Sequence, residues 1–365
     1  MWRVGVLAIA ACGRIGFAPL SDGALDATPD APFEGHLVRV LHGTETLDLD
    51  LDVTLTAPIV PEHAFLVFTA RSDETGPRSQ TSGQITGPTQ IHFHRPNNGR
   101  PMTVTWYVIE LDDTASVQRG GLDSTVMPDI PIAPINLNES FALISWSNGF
   151  NSFDNDDFVN ARLDPTSLHV APGAFLNDWQ VISMPSLVVQ HGTVDLSGTS
   201  VVAPITPVPV DRTMLLLNWT IDLPDSGTTI GPDQVIGSLA TDQLTITRGA
   251  PGELAHIVYQ LVTFPPGSRV LTGETRFDNT QTSIAASLLA AWDPARSFAV
   301  TPAQPYYGTS TYVGDNNATC YIGGIMFTVD AASGIAVQLD RAAPFPVGND
   351  TATASFQVVE LLAAP

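Results

Sequence analysis

A strand-like sequence recurs four times along this chain. Each copy begins with an aromatic residue and continues with an apolar run, as in "WQVIS". The four copies begin at Trp106, Trp179, Tyr259 and Phe356. A Val-x-x-Gly stretch follows each of the first three copies, and another, Val40–Gly43, stands before the first. Segments that recur along a chain in this way are typical of tandem supersecondary units, so the sequence predicts four such units.

Two further segments recur within each unit. One is an apolar run such as "SFALISWS" from Ser140, and the other is an alternating run such as "QIHFHR" from Gln90. Alternation places apolar side chains on one face, which is typical of a strand with one buried face. The 29 Gly and 29 Pro residues favour frequent turns between such strands. The sequence therefore predicts an all-β fold of four tandem antiparallel β units, each a small sandwich.

The repeat also predicts domain boundaries. We expect a signal peptide over residues 1–11, a flexible tether over 12–34, and units over 35–120, 121–192, 193–273 and 274–365. The extra stretch before unit one leaves two arrangements open. In a linear array Leu37–Leu41 packs within unit one, whereas in a closed ring residues 36–43 pair beside 356–361. We expect the linear array, because rings usually need more numerous and more regular units.

The N-terminus carries a targeting pattern. Arg3 precedes a short apolar run that ends in Ile9-Ala10-Ala11-Cys12. This run resembles the signal of bacterial lipoproteins, in which small residues precede a cysteine. The resemblance implies cleavage before Cys12, a lipid on its thiol, and a membrane-anchored protein of the cell envelope. Residues 13–34 are rich in Ala, Asp, Pro and Gly without periodicity, which favours a flexible tether.

The repeat itself resembles one found in surface lipoproteins of GC-rich bacteria. The shared order is a strand such as "SFALISWS", a strand ending in Arg such as "QLTITR", and then "WQVIS" followed by "VVQHG". This resemblance covers most of residues 36–365, and it implies no particular activity.

Charge excludes some partners. The formal net charge is -22, and all 15 basic residues are Arg. Such a chain repels phosphate backbones, so nucleic-acid binding is not expected.

Two sets of polar strand residues have alternative interpretations. His92 and His94 lie two residues apart on a strand, as metal ligands often do. Their repeat counterparts include Thr and Gln, which favours an ordinary polar face and no metal. Glu110 and Glu360 close the aromatic strand and are candidates for acid or base catalysis. Their counterparts Ser183 and Thr263 favour a structural role instead.

Two loops carry weaker signals. Asp154, Asp156 and Asp157 supply carboxylates of the kind that Ca²⁺ prefers, although a solvated acidic loop is the simpler interpretation. The segment 305–324 contains four of the six tyrosines. Clustered Tyr with Asn, Asp and Ser is typical of recognition loops. The candidate ligand-binding residues are Tyr306, Tyr307, Tyr312, Asp315 and Asn316; a hairpin whose tyrosines pack on the core is the alternative.

These patterns predict a function class and no substrate. The chain lacks a Gly-x-Ser-x-Gly elbow, a zinc-spaced cysteine pair and a dinucleotide fingerprint. We expect a lipid-anchored, exported, non-enzymatic protein that binds a glycan or surface protein, adheres, or is structural. We expect no cofactor, and Ca²⁺ is the alternative. The alternative is an exported hydrolase, for example one acting on polysaccharide, with one specialised unit.

Overall fold

The computed structural model describes residues 36–72, 80–95, 100–123, 129–147, 158–170, 176–222, 234–249, 251–278, 280–302, 310–313, 327–342 and 351–362. They belong to a compact unit, Glu34–Pro365. Helical structure within these ranges consists of four short 3-10 turns: Pro61–His63, Leu137–Glu139, Val210–Arg212 and Pro294–Arg296. No helix in the described ranges has the length and apolar character needed to cross a membrane.

Units one and two contain the same six strands. Unit one has β1 (Leu37–Leu47), β2 (Asp50–Thr54), β3 (Ala64–Ser72), β4 (Ser82–Gly87), β5 (Gln90–His94) and β6 (Met102–Leu111). Unit two has β7 (Ser116–Asp123), β8 (Asp129–Pro131), β9 (Ser140–Ser147), β10 (Ala161–Asp164), β11 (Ser167–Val170) and β12 (Leu176–Ser183). In unit one the order β1-β6-β3 forms the first sheet and β2-β5-β4 the second sheet, and unit two repeats both.

Units three and four follow the same plan. Unit three has β13 (Val188–Leu196), β14 (Ser200–Pro204), β15 (Thr213–Ile221), β16 (Val235–Leu239), β17 (Gln243–Arg248) and β18 (Ala255–Thr263). Unit four has β19 (Arg269–Phe277), β20 (Ser283–Ser287), β21 (Ser297–Val300), β22 (Ser310–Val313), β23 (Phe327–Asp330), β24 (Ala336–Arg341) and β25 (Thr351–Glu360). The additional strand β22 pairs with β25. The predicted all-β fold of four tandem antiparallel units is confirmed.

The two sheets of a unit pack their buried faces together. In unit one the ring of Phe68 on β3 lies 5.1 Å from that of Phe93 on β5, in an edge-on arrangement. Ile91 and Phe93 of β5 are fully buried, whereas His92 and His94 between and beyond them are partly exposed. This alternation along β5 matches the pattern predicted from "QIHFHR".

The repeated glycine and the repeated aromatic residue are cross-strand partners. The four pairs are Gly43 with Trp106, Gly120 with Trp179, Gly192 with Tyr259, and Gly273 with Phe356. A Cβ atom on Gly273 would lie 2.3 Å from Cζ of Phe356. The glycine therefore leaves the space that the ring occupies, and the four aromatic residues hold equivalent positions, as predicted.

This pairing places the first strands of units two, three and four earlier than the sequence suggested. Val117–Gly120 lies on β7, which pairs with β12 and so opens unit two. β13 and β19 open units three and four in the same way. The first strands of units two, three and four therefore begin at Ser116, Val188 and Arg269, before the predicted unit starts at 121, 193 and 274. The physical reason is that each glycine must face the aromatic residue of its own unit.

The four units close into a ring, so the expected linear array is wrong. Unit four contacts unit one through the Leu37 amide, which donates to the Leu362 carbonyl at 3.0 Å. The Val329 amide of unit four also donates to Oγ1 of Thr69 in unit one at 2.9 Å. Each unit therefore has a neighbour on both sides.

Closure does not use the strand pairing expected of a ring. β1 pairs with β6 of its own unit, where Val40 lies opposite Ile109. The packing of Leu37–Leu41 within unit one is thus confirmed, although the array is closed. Phe65 of unit one lies at the junction of three units, because its ring is 6.1 Å from that of Phe141 and 5.9 Å from that of Phe298.

A glutamine side chain joins three of the four neighbouring unit pairs. The amide oxygen accepts from a backbone N–H and the amide nitrogen donates to the carbonyl of the same residue, at 2.8–2.9 Å. The pairs are Gln180 with Leu66, Gln260 with Ala142, and Gln357 with Leu215. The residues held in this way lie on β3, β9 and β15, the outer strands of first sheets. The glutamines thus satisfy strand edges that would otherwise lack partners.

The junction of units four and one uses a tyrosine at the glutamine position. The Tyr107 hydroxyl accepts from the Ala331 amide at 2.8 Å and donates to Oδ1 of Asp330 at 3.4 Å. Burial, followed by the charge of Asp330, raises the pKa of the Tyr107 phenol well above its ordinary value. The hydroxyl therefore stays protonated and serves as both donor and acceptor.

Candidate functional site

Two aspartates and two histidines form a square on the second sheet of unit one, which we call the histidine face. Asp50 lies opposite His94, and Asp52 lies opposite His92, on β2 and β5. Nδ1 of His94 lies 2.5 Å from Oδ1 of Asp50, and Nδ1 of His92 lies 2.8 Å from Oδ1 of Asp52. The two imidazoles are nearly parallel, with ring centroids 6.3 Å apart. Both sheet strands fix these side chains on one partly exposed surface.

A carboxylate from unit two lies beside this face. The Asp178 carboxyl accepts a hydrogen bond from Ser82, whose strand position is opposite His94. Burial raises the pKa of Asp178, and the Ser82 hydrogen bond and the charges of His92 and His94 oppose the rise. A polar cluster therefore spans the junction of units one and two.

The histidine face offers a group of donors suited to one metal ion. One oxygen of Asp50 and one nitrogen each of His92 and His94 all lie within 4.8 Å of one another. Within the described ranges, this is the one group of three or more His, Cys, Asp or Glu residues that meets this distance. The sequence interpretation of the face as an ordinary polar surface missed Asp50 and Asp52, because they come from a strand some 40 residues away.

The equivalent surfaces of the other units lack the paired imidazoles. In unit two, His169 contacts Asp129 and, at 2.5 Å, Asp164, one through each ring nitrogen. In unit three, Thr245 and Thr247 occupy the two positions, opposite Val202 and Ser200. In unit four, Gln338 and Asp340 occupy them, opposite Ala285 and Ser283. The histidine face is therefore a feature of unit one and not of the repeat.

A further acid-flanked histidine lies on the first sheet of unit three. Nδ1 of His256 lies 2.8 Å from Asp195, and Nε2 lies 3.0 Å from Asp222. The hydrogen bond with Asp195 is the main cause that raises the pKa of His256 above its ordinary value, and burial opposes it. Since both ring nitrogens have carboxylate partners, this site favours a charged imidazolium rather than a metal ligand.

The buried glutamates at the ends of the aromatic strands are paired with arginines. Oε2 of Glu110 lies 2.6 Å from Nε of Arg39. Glu360 contacts Arg269, and its Oε1 accepts from Arg296 at 2.6 Å. These ion pairs support the structural interpretation of both glutamates.

The counterparts in the middle units form hydroxyl pairs. The Oγ atoms of Ser140 and Ser183 lie 2.7 Å apart in unit two, and the hydroxyls of Thr213 and Thr263 lie 2.9 Å apart in unit three. Ser183 and Ser140 also line a pocket of about 360 Å³, together with Glu139, Met184 and neighbouring residues. Sequence reasoning gave no signal for this pocket, which forms where unit two has short side chains.

Most residues predicted to bind or anchor lie outside the described ranges. These are Cys12, Asp154, Asp156, Asp157, Tyr306, Tyr307, Asp315 and Asn316. Tyr312 lies on β22, opposite Ala352 of β25.

Comparison with known proteins adds no relative. No protein-family model matches the chain, and no curated protein matches it. The assignment of function therefore rests on the chain's own residues.

Proposed function

We propose that this chain is a lipid-anchored, exported protein of the bacterial cell envelope, in which the ring of β units is a rigid, non-enzymatic binding platform. Its partner is a glycan or a surface protein, and Tyr306, Tyr307 and Tyr312 contribute to recognition. The membrane is reached through Cys12.

One observation carries the proposal that the ring is a platform. Polar residues that recur in the repeat are matched to structural partners: the glutamines hold neighbouring strands, and the buried Glu110 and Glu360 are paired with arginines. Side chains that are held in such hydrogen bonds and ion pairs are poorly placed for proton transfer to a substrate. A stiff ring with variable connecting loops is typical of binding proteins.

A binding screen tests the platform. Residues 34–365 form one compact unit and can be applied to arrays of glycans and cell-wall fragments, with and without Ca²⁺. We expect retention of one ligand class without chemical change, and weaker retention when Tyr306 and Tyr307 are both changed to Ser. Asp154, Asp156 and Asp157 changed together to Asn test whether Ca²⁺ takes part.

The alternative, an exported hydrolase, has one observation in its favour. Burial raises the pKa of the Asp178 carboxyl, and this residue lies beside His92 and His94. A carboxyl with a raised pKa next to histidines is a combination found at catalytic sites. This cluster lies at the junction of units one and two. Release of new reducing ends or of another product from array ligands, lost in Asp178→Asn, would favour the hydrolase over the platform.

We expect Cys12→Ser to leave an unprocessed precursor that partitions into the aqueous phase. The reason is that the Ile9-Ala10-Ala11-Cys12 motif requires a thiol to receive the lipid. Detergent phase partitioning of the full chain, beside wild type and Cys320→Ser, measures the effect. Equal partitioning of wild type and Cys12→Ser would contradict the anchor.

A further inference from the structure

We propose that the histidine face binds one divalent first-row transition-metal ion, with Asp50, His92 and His94 as its ligands. The site lies on the ring itself and is independent of the proposed function. It is carried by the geometry of β2 and β5, which hold all three donors on one surface.

The donor spacing suits a shared ion. Two ligand atoms bound to one Zn²⁺ at ~2.0–2.1 Å in a tetrahedron lie about 3.3 Å apart. The observed distances bracket that value: Oδ1 of Asp50 is 2.5 Å from Nδ1 of His94 and 3.7 Å from Nε2 of His92. All three donor atoms lie within 4.8 Å of one another, so a single ion between them can be reached by rotation of exposed side chains.

Asp52 is placed to orient one of the proposed ligands. Its Oδ1 lies 2.8 Å from Nδ1 of His92. With the proton on Nδ1, Nε2 carries the free lone pair, and it lies 3.7 Å from Oδ1 of Asp50. In metal sites, a histidine that binds the ion through one ring nitrogen usually donates its other N–H to a carboxylate. This hydrogen bond fixes the orientation of the ring and its tautomer.

The donor set selects a class of metal. Two imidazoles and one carboxylate are suited to Zn²⁺, Cu²⁺, Ni²⁺ or Co²⁺, whereas Mg²⁺ and Ca²⁺ prefer oxygen ligands. The three side chains are partly exposed, so water can complete the coordination. The net charge of -22 adds a general attraction for cations but does not favour this site over other parts of the surface.

Zinc titration of the full chain without a histidine tag tests the proposal. By calorimetry, we expect wild type to bind one Zn²⁺ at this site and the double variant His92→Ala/His94→Ala to bind it at least tenfold more weakly. Asp52→Asn, which keeps all three ligands, should weaken binding roughly 10-fold. His169→Ala is the matched control, because it removes an acid-flanked histidine from unit two and should leave zinc affinity unchanged.

Spectroscopy identifies the ligands. Electron paramagnetic resonance of the Cu²⁺ form should show coupling to two nitrogens in wild type and in His169→Ala, and should lose it in the double variant. Any zinc bound by cysteine thiols is common to all variants and cancels in the comparison. Equal zinc affinity in wild type and the double variant, with apo proteins of equal melting temperature, would overturn the proposal, as would a Cu²⁺ spectrum without nitrogen coupling.

Discussion

Gln357→Met is expected to destabilise the ring by about 3 kcal/mol, because it leaves the buried N–H and C=O of Leu215 without partners. Methionine fills a similar volume, so the loss comes from hydrogen bonding and not from a cavity. For a folded unit of this size the midpoint of thermal unfolding should fall by ~4 °C. Circular dichroism on heating measures the shift.

Gln190→Met is the matched control for this prediction. Gln190 makes the same two-way contact with the backbone of Thr206, at 3.0 and 3.1 Å, but on the solvent-facing side of unit three. Water can replace a glutamine there, so we expect a change of ~0.5 kcal/mol or less. A loss for Gln357→Met no larger than that for Gln190→Met would contradict a special role for the buried contact.

Gly273→Ala is expected to cost about 2 kcal/mol, within the range for adding a methyl group to a filled core. The new Cβ would lie 2.3 Å from Cζ of Phe356 and 2.8 Å from a methyl carbon of Leu288. Phe356 is fully buried, so its ring cannot move into solvent. The same substitution at an unhindered position would tend to stabilise by restricting the unfolded chain, so the sign of the effect is informative.

Two comparisons make this prediction specific. Gly198→Ala should leave stability unchanged or slightly raised, because no atom lies within 4 Å of its Cβ position. Phe356→Leu in the Gly273→Ala background should recover part of the loss, since the smaller side chain makes room. Additive losses in the double variant would show that the two residues do not share this space.

Local pattern was sufficient to predict the strands and their repetition. Alternation along "QIHFHR" placed Ile91 and Phe93 inside, and the aromatic residues such as Trp106 marked equivalent strands. What the pattern could not supply was the closure of the ring. Closure depends on the Leu37–Leu362 hydrogen bond and on Tyr107, which replaces a repeated glutamine and contacts a distant unit.

The sequence predicted the two histidines of the candidate site but not its aspartates. His92 and His94 stood out because they share one strand face. Asp50 and Asp52 did not, since their position opposite the histidines follows from the register between β2 and β5. Asp178 was even less predictable, because it reaches the cluster from the neighbouring unit. Side chains that meet across strands are set by register and closure, and short-range periodicity carries little of that information.

The junctions between units are head-to-tail contacts of the kind that, between separate subunits, generates a cyclic tetramer. Here the same rotation closes within one polypeptide. In a tetramer of identical subunits, every substitution appears four times around the axis, and a pair such as His92 and His94 would be copied into each position. A single chain with four encoded units lets one unit carry that pair while the others hold a single histidine, two threonines, or Gln and Asp, so symmetry can be kept in the backbone and broken in the surface chemistry.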